Sequence, residues 1–144
     1  MHKTSPEHDD CFALRQATRY ISQLYERHLS EVEITPTQFS ILGALHAGDS
    51  LTMIELAQAM VMDRTTLVRA LRPLMRGGLV ANAPGQRSKG RLQLILTDVG
   101  RGKLLEAIAY WRAAQDEFER KFGAGEAARL RHELFRITRD ISKA

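Results

Sequence analysis

The sequence predicts a mainly α-helical chain that carries one small β-hairpin, and three observations predict it. Apolar residues recur at three- and four-residue spacing through both ends of the chain, the pattern of helices with one buried face. In the middle, three helix-opening signals follow one another: Thr35-Pro36-Thr37-Gln38, Thr52-Met53-Ile54-Glu55 and Asp63. Behind them lie two strand-length segments around a loop that holds Pro84, Gly85 and Gly90.

Taken in order, Ser5 caps a first helix with Pro6 at its first position and Glu7 in its first turn. Leu14, Ala17, Ile21, Leu24 and Tyr25 form its apolar face, and it runs to about Ser30. A short linker, Glu31 to Ile34, leads to the first capping box, where proline again takes the first helical position. That second helix carries Phe39, Ile41, Leu42 and Leu45 and ends at Gly48. The second capping box opens a short third helix with Ile54, Leu56, Ala57 and Met60, and Val61-Met62 turns the chain. Asp63 caps the fourth helix, whose Leu67, Leu71, Leu74 and Met75 face one way and whose Thr65, Arg69, Arg72 and Arg76 face the other. Pro73 lacks an amide hydrogen and predicts a kink; Gly77-Gly78 ends the helix through a left-handed residue. Two short helices, a tight turn and a second helix rich in Thr and Arg have the layout of a helix-turn-helix. Leu79–Ala83 and Arg91–Leu96 then form a hairpin, which in that position is a wing; Leu92, Leu94 and Leu96 mark one face of its second strand. Thr97 caps a long helical region with Leu104, Leu105, Ile108, Trp111, Phe118 and Phe122, and Gly123-Ala124-Gly125 breaks it. A last helix carries Leu130, Leu134, Ile137 and Ile141. The chain reads as a single domain over 1–144, with a DNA-binding lobe over about 35–97 and its wing over about 79–96. The helical ends, about 6–34 and 98–144, are more than so small a lobe needs, and paired amphipathic helices of this kind serve as a dimer interface.

Charge points to the partner. From Arg64 to Thr97 there is no Asp or Glu, while Arg64, Arg69, Arg72, Arg76, Arg87, Lys89 and Arg91 all fall there. The chain has 21 Lys+Arg and 17 Asp+Glu, so removing these seven basic residues leaves 14 against 17, a net of −3. A positive segment on a slightly negative body is the footprint of a surface that meets phosphates. The 44% hydrophobic and 26% charged fractions are those of an ordinary globular protein, and no apolar run approaches a membrane span. The first ten residues lack the apolar region of a signal peptide, and the lone Cys11 has no internal disulfide partner, which together place the chain in the cytoplasm. Five scattered histidines and one cysteine make no metal set, and no phosphate-binding loop or nucleophile elbow is present, so neither a cofactor nor an enzyme is expected.

At this point the chain resembles the MarR family of winged helix-turn-helix regulators, on ITPTQFSIL, then LTMIELAQAMVMDRTTLVRALRPLMRGGLV, then LTDVG after the hairpin. The resemblance covers about Cys11 to Ile141. It implies a homodimer on a pseudo-palindromic operator, usually a repressor, with the fourth helix in the major groove and the wing tip in the adjacent minor groove. Many members release DNA when a small, often phenolic, molecule binds between dimer helices and DNA-binding lobe; others respond to cysteine oxidation. The wing departs from the pattern. Where most members carry Asp-Arg-Arg, this chain has Ser88-Lys89-Gly90, with basic charge moved to Arg87 and Arg91, and Met75 stands where an acid is common. The phrase CFAL at Cys11, with Tyr25 fourteen residues on, is similar to the peroxide-sensing OhrR branch, although a second tyrosine of that branch falls at Pro36 here.

The recognition-helix candidates are therefore Arg64, Thr65, Thr66, Arg69 and Arg72, since arginine grips guanine O6 and N7 with two hydrogen bonds and threonine reaches bases or phosphates. Gln86, Arg87, Lys89 and Arg91 are the wing candidates for a narrow, electronegative minor groove. Thr37 and Gln38 open the second helix, where backbone N–H groups can touch phosphate. Cys11 with Tyr25 is the candidate redox sensor; they lie ~21 Å apart along one helix, so only a contact across a dimer joins them. The alternative for Cys11 is a small apolar residue in a dimer interface. Phe39, His46, Tyr110 and Trp111, with Tyr25, are candidates for an effector pocket, against ordinary core packing. The reading is a sequence-specific, homodimeric repressor of transcription that binds double-stranded DNA and is released by a small-molecule effector. Its alternatives are a repressor switched by Cys11 oxidation and a winged-helix protein-interaction module that reads no DNA.

Overall fold

The computed structural model describes residues 5–88 and 91–141, with residues 85–88 by their backbone. Its helices are α1 (Asp10–Leu29), α2 (Pro36–Gly48), α3 (Met53–Met60), α4 (Arg64–Arg76), α5 (Asp98–Phe122) and α6 (Ala124–Phe135), the last followed by a wider turn over Arg136–Asp140. Strands β1 (Ser50–Thr52), β2 (Val80–Ser88) and β3 (Arg91–Leu96) make one antiparallel sheet in the order β1-β3-β2.

Both capping boxes form. Thr35 Oγ1 accepts from the Gln38 amide at 3.1 Å while Gln38 Oε1 accepts from the Thr35 amide at 3.0 Å. Thr52 and Glu55 repeat the exchange at 3.2 and 2.9 Å. α1 starts later than expected. Pro6–His8 form a 3₁₀ turn in which Ser5 Oγ meets His8 Nδ1 at 3.0 Å, and the carboxylate of Asp9 accepts from the Phe12 amide at 2.7 Å. An ionised cap at a helix N-terminus gains from the helix dipole, an advantage that the Ser5 hydroxyl does not have.

One core cluster holds the lobe together. Ile41, Leu42, Leu45, Leu56, Leu67, Leu71, Leu74, Val80, Leu94 and Leu96 meet there, and the cluster runs on into Leu29, Leu104 and Ala107. The lobe is thus packed onto the ends of α1 and α5 that lie nearest to it. Four expectations need correction. Met75 lies at the rim, 37% exposed, because it directly follows Leu74 and is turned about 100° from it round a helix that buries only Leu67, Leu71 and Leu74. β1 was not expected; it pairs Ser50 with Ile95 and Thr52 with Gln93, and it makes β3 the central strand. Leu92 lies beyond the last of these pairs and is half-exposed, whereas its neighbour Gln93 is buried. β2 continues past Ala83 to Ser88, and a shift of register between Asn82 and Arg87 takes up Pro84 and Gly85, residues that a regular ladder disfavours. Pro73 lies inside α4, which runs from Arg64 to Arg76.

Gly100 fixes how α5 leaves the sheet. A Cβ there would collide with the Leu79 carbonyl oxygen and come within 2.8 Å of Leu96 Cδ1. Thr97 ties the same junction: its hydroxyl donates to the Gly78 carbonyl at 2.5 Å and accepts from the Gly100 amide at 3.0 Å. Gly78 itself has φ of +74°, the left-handed helix end expected of the glycine pair.

Candidate nucleic-acid interface

The α3–turn–α4 unit positions the first group of side chains. Val61 takes a left-handed conformation, φ 52°, and Met62 closes the turn through its amide to the Ala57 carbonyl at 2.9 Å. The Asp63 carboxylate caps α4 by accepting from the Thr66 amide at 2.7 Å. That hydrogen bond, together with one from the Thr66 hydroxyl and the positive charge of Arg69, holds the Asp63 carboxyl below its ordinary value. With Leu67, Leu71 and Leu74 buried, helical periodicity turns Arg64, Thr65, Thr66, Arg69 and Arg72 outward, and all five are exposed. Arg64, Thr65, Val68, Arg69 and Arg72 line a shallow depression of about 240 Å³.

A second concavity of about 270 Å³ lies where α4 meets the hairpin. Met53, Ile54, Leu92 and Leu94 form its apolar part and Arg64, Asn82 and Arg91 its polar part, so Arg64 belongs to both hollows. Arg91 is thereby brought beside the recognition-helix candidates. Only the backbone of Gln86 and Arg87 is described, Arg87 pairing with Leu92, and Lys89 lies outside the described residues. Thr37 is exposed at the start of α2, but the amide and side chain of Gln38 are both used in the capping box.

Charge pairing separates this face from the rest of the molecule. The ion pairs among the described residues lie in the N-terminal turn and along α1, α5 and α6, including Arg101–Asp98, Arg129–Glu126 and Arg136–Glu133. None of them involves Arg64, Arg69, Arg72, Arg76 or Arg91. These arginines are exposed and form no salt bridge among the described residues, although Arg69 lies close enough to Asp63 to act on its carboxyl.

The other candidates are dispersed. Cys11 is exposed in the first turn of α1, while Tyr25 lies half-buried near the far end of the same helix, so one chain does not join them. A cavity of about 350 Å³ opens between α1, α5 and α6, and of the effector candidates only Trp111 and Tyr25 line it. Phe39 instead stacks on Trp111, ring centroids 5.8 Å apart, and both pack on the core. His46 and Tyr110 are exposed and line no part of that cavity, because each points away from the face its helix packs. Sequence reasoning missed Gln115, Phe118, Glu119 and Arg131 on the cavity wall, although Trp111, Gln115 and Phe118 fall on one helical face at spacings of four and three. Burial pushes the Tyr25 hydroxyl up, and the nearby Glu119 adds to this while Arg131 works against it. Glu117 was missed as well. It accepts from Lys121 at 2.9 Å, His28 at 3.0 Å and Arg27 at 3.3 Å, fastening α1 to α5. The hydrogen bonds from Lys121 and His28 hold its carboxyl down at about 2.

Among the described residues no group of three or more His, Cys, Asp and Glu is placed to hold a metal ion, and no helix is long and apolar enough to cross a membrane.

Comparison with known proteins places this geometry. A model of the MarR family matches residues 33–88. The HTH-type transcriptional regulator TtmR of Methylorubrum extorquens (strain PA1) is 29% identical over 92 residues, 64% of this chain, and the match spans 47% of that relative's length. Among solved structures, the M. tuberculosis transcriptional regulator MosR in complex with DNA is 32% identical, with a TM-score of 0.80 over 94% of this chain and 97% of that one. The transcriptional repressor CouR bound to a 23-mer DNA duplex is 25% identical, with a TM-score of 0.82 over 96% of this chain and all of that one. CouR has also been seen bound to p-coumaroyl-CoA. These relatives are transcriptional regulators and not enzymes.

Proposed function

The chain belongs to the MarR family of winged helix-turn-helix transcriptional regulators, and from that premise we propose that it reads double-stranded DNA sequence-specifically, as a cytoplasmic homodimeric repressor released by a small-molecule effector. The observation that carries the reading is the outward face of α4, where Arg64, Arg69 and Arg72 stand exposed without a salt bridge among the described residues. Exposed guanidinium groups free of salt bridges on a helix of that shape suit guanine edges and phosphates in a major groove. Arg91, and with it the wing, supplies charge beside that helix.

Phe12, Leu14, Leu130, Leu134, Ile137 and Ile141 are exposed apolar residues of the terminal helices, and a second copy is the partner that covers them. Two lobes then address half-sites about one helical turn apart. The cavity beside Trp111 and Tyr25 is the place for an effector with an apolar body, its polar groups meeting Gln115, Glu119 or Arg131. Exposure of Cys11 supports the second reading, in which its oxidation releases the DNA.

The test is selection of duplexes from a randomised pool, then fluorescence anisotropy of the enriched duplex against a scrambled one at several salt concentrations, with and without peroxide. Selective binding that weakens steeply with salt is expected. Equal binding to both duplexes removes sequence reading, and no binding at low salt leaves the interaction module. Loss of binding in peroxide that a Cys11→Ser variant resists assigns release to oxidation instead of a ligand.

A further inference from the structure

We propose that the cleft between α4 and the hairpin is a clamp for one sugar–phosphate unit of the DNA backbone, with Asn82 as a contact in its own right. The inference rests on the DNA reading above and adds to it a site and a residue. Three polar residues from three elements line it: Arg64 from the start of α4, Asn82 from β2 and Arg91 from the start of β3. Neither arginine has an ion-pair partner among the described residues. Two like charges facing one hollow repel each other until an anion lies between them, and a phosphate oxygen accepts from guanidinium with charge-assisted geometry.

Asn82 is exposed and occupies the last regular pair of β2, opposite Leu94, before the register shifts. The ladder therefore fixes its position where the rest of the hairpin departs from it. Its carboxamide offers two N–H donors to an oxygen that both arginines also reach. The apolar part of the cleft says which phosphate. Ile54 is 43% exposed and Leu92 50% exposed, each beside an arginine. A bare anion leaves both in water, whereas a phosphodiester lays the C–H face of a deoxyribose on them. Since Arg64 also lines the α4 depression, a phosphate seated here sets the register of the recognition helix without reading a base itself.

The test uses the enriched duplex remade with single neutral methylphosphonates at successive backbone positions, titrated in anisotropy with the full chain and with Asn82→Ala and Arg91→Ala. Circular dichroism first establishes that the variants fold. One position in each half-site is expected at which neutralisation weakens the unaltered chain by about tenfold and weakens neither variant further. An Asn82→Ala variant that binds like the unaltered chain, or whose loss simply adds to every methylphosphonate, overturns the clamp. Failure of the unaltered chain to bind any duplex overturns the DNA reading beneath it, an outcome distinct from the other two.

Discussion

Arg69 and Glu117 show how two charged side chains come to opposite uses. Arg69 projects exposed from α4, forms no salt bridge among the described residues and acts on the carboxyl of the capping Asp63. Arg69→Ala is expected to cost roughly 1–3 kcal/mol of binding and to relax discrimination at one base pair; anisotropy on duplexes carrying each base at each position checks it, and equal weakening on all of them reduces Arg69 to a phosphate contact. Glu117 is spent inside the molecule, on Arg27, His28 and Lys121. Its carboxyl is lowered from 4.5 to about 2 in the fold, so the stabilisation it brings is complete above the ordinary carboxylate range and disappears as pH falls towards 2. Glu117→Gln should therefore flatten the fall of melting temperature between about pH 5 and pH 2; a variant that keeps the parent's slope would mean that the α1–α5 junction does not depend on this charge.

At the scale of the element, the joint between hairpin and α5 is the least forgiving place. Gly100→Ala pushes a methyl group into the Leu79 carbonyl and Leu96, and a loss of about 1–3 kcal/mol is expected; thermal unfolding by circular dichroism measures it, and an unchanged midpoint would mean the junction shifts freely. The helices were legible because their signals are local. The two capping boxes, the Asp63 cap and the three-and-four spacing of α2 and α4 each need only neighbouring residues, and each is present in the fold. What failed was non-local. β1 has three residues, too few for a period to register, and it exists because β3 offers an edge. The exchange of burial between Leu92 and Gln93 depends on where that edge ends. The Glu117 junction joins residues 89 or 90 positions apart, and no pattern along the chain announces it. For the site, the arginine face followed from periodicity and charge, whereas the shared position of Arg64, Asn82 and Arg91 required the sheet.

For the whole molecule, assembly is the first question. α1 is exposed on every side from Cys11 to Tyr20, and α6 buries only Ala127. Replacing Leu130 and Leu134 together by Glu is expected to yield monomers in analytical ultracentrifugation and to abolish tight binding to a two-half-site duplex while leaving weak binding to one half-site. Dimers that survive the change would place the interface elsewhere. The molecule also carries its own gauge of motion. The single tryptophan of the chain, Trp111, sits on α5 with its ring against Phe39 of α2, where the lobe meets the long helix. Indole emission depends on local polarity and on the rings nearby, and no second indole blurs the signal. A movement that shifts Phe39 of the lobe against Trp111 would alter the indole's surroundings, so an unlabelled sample would report it as a change of colour.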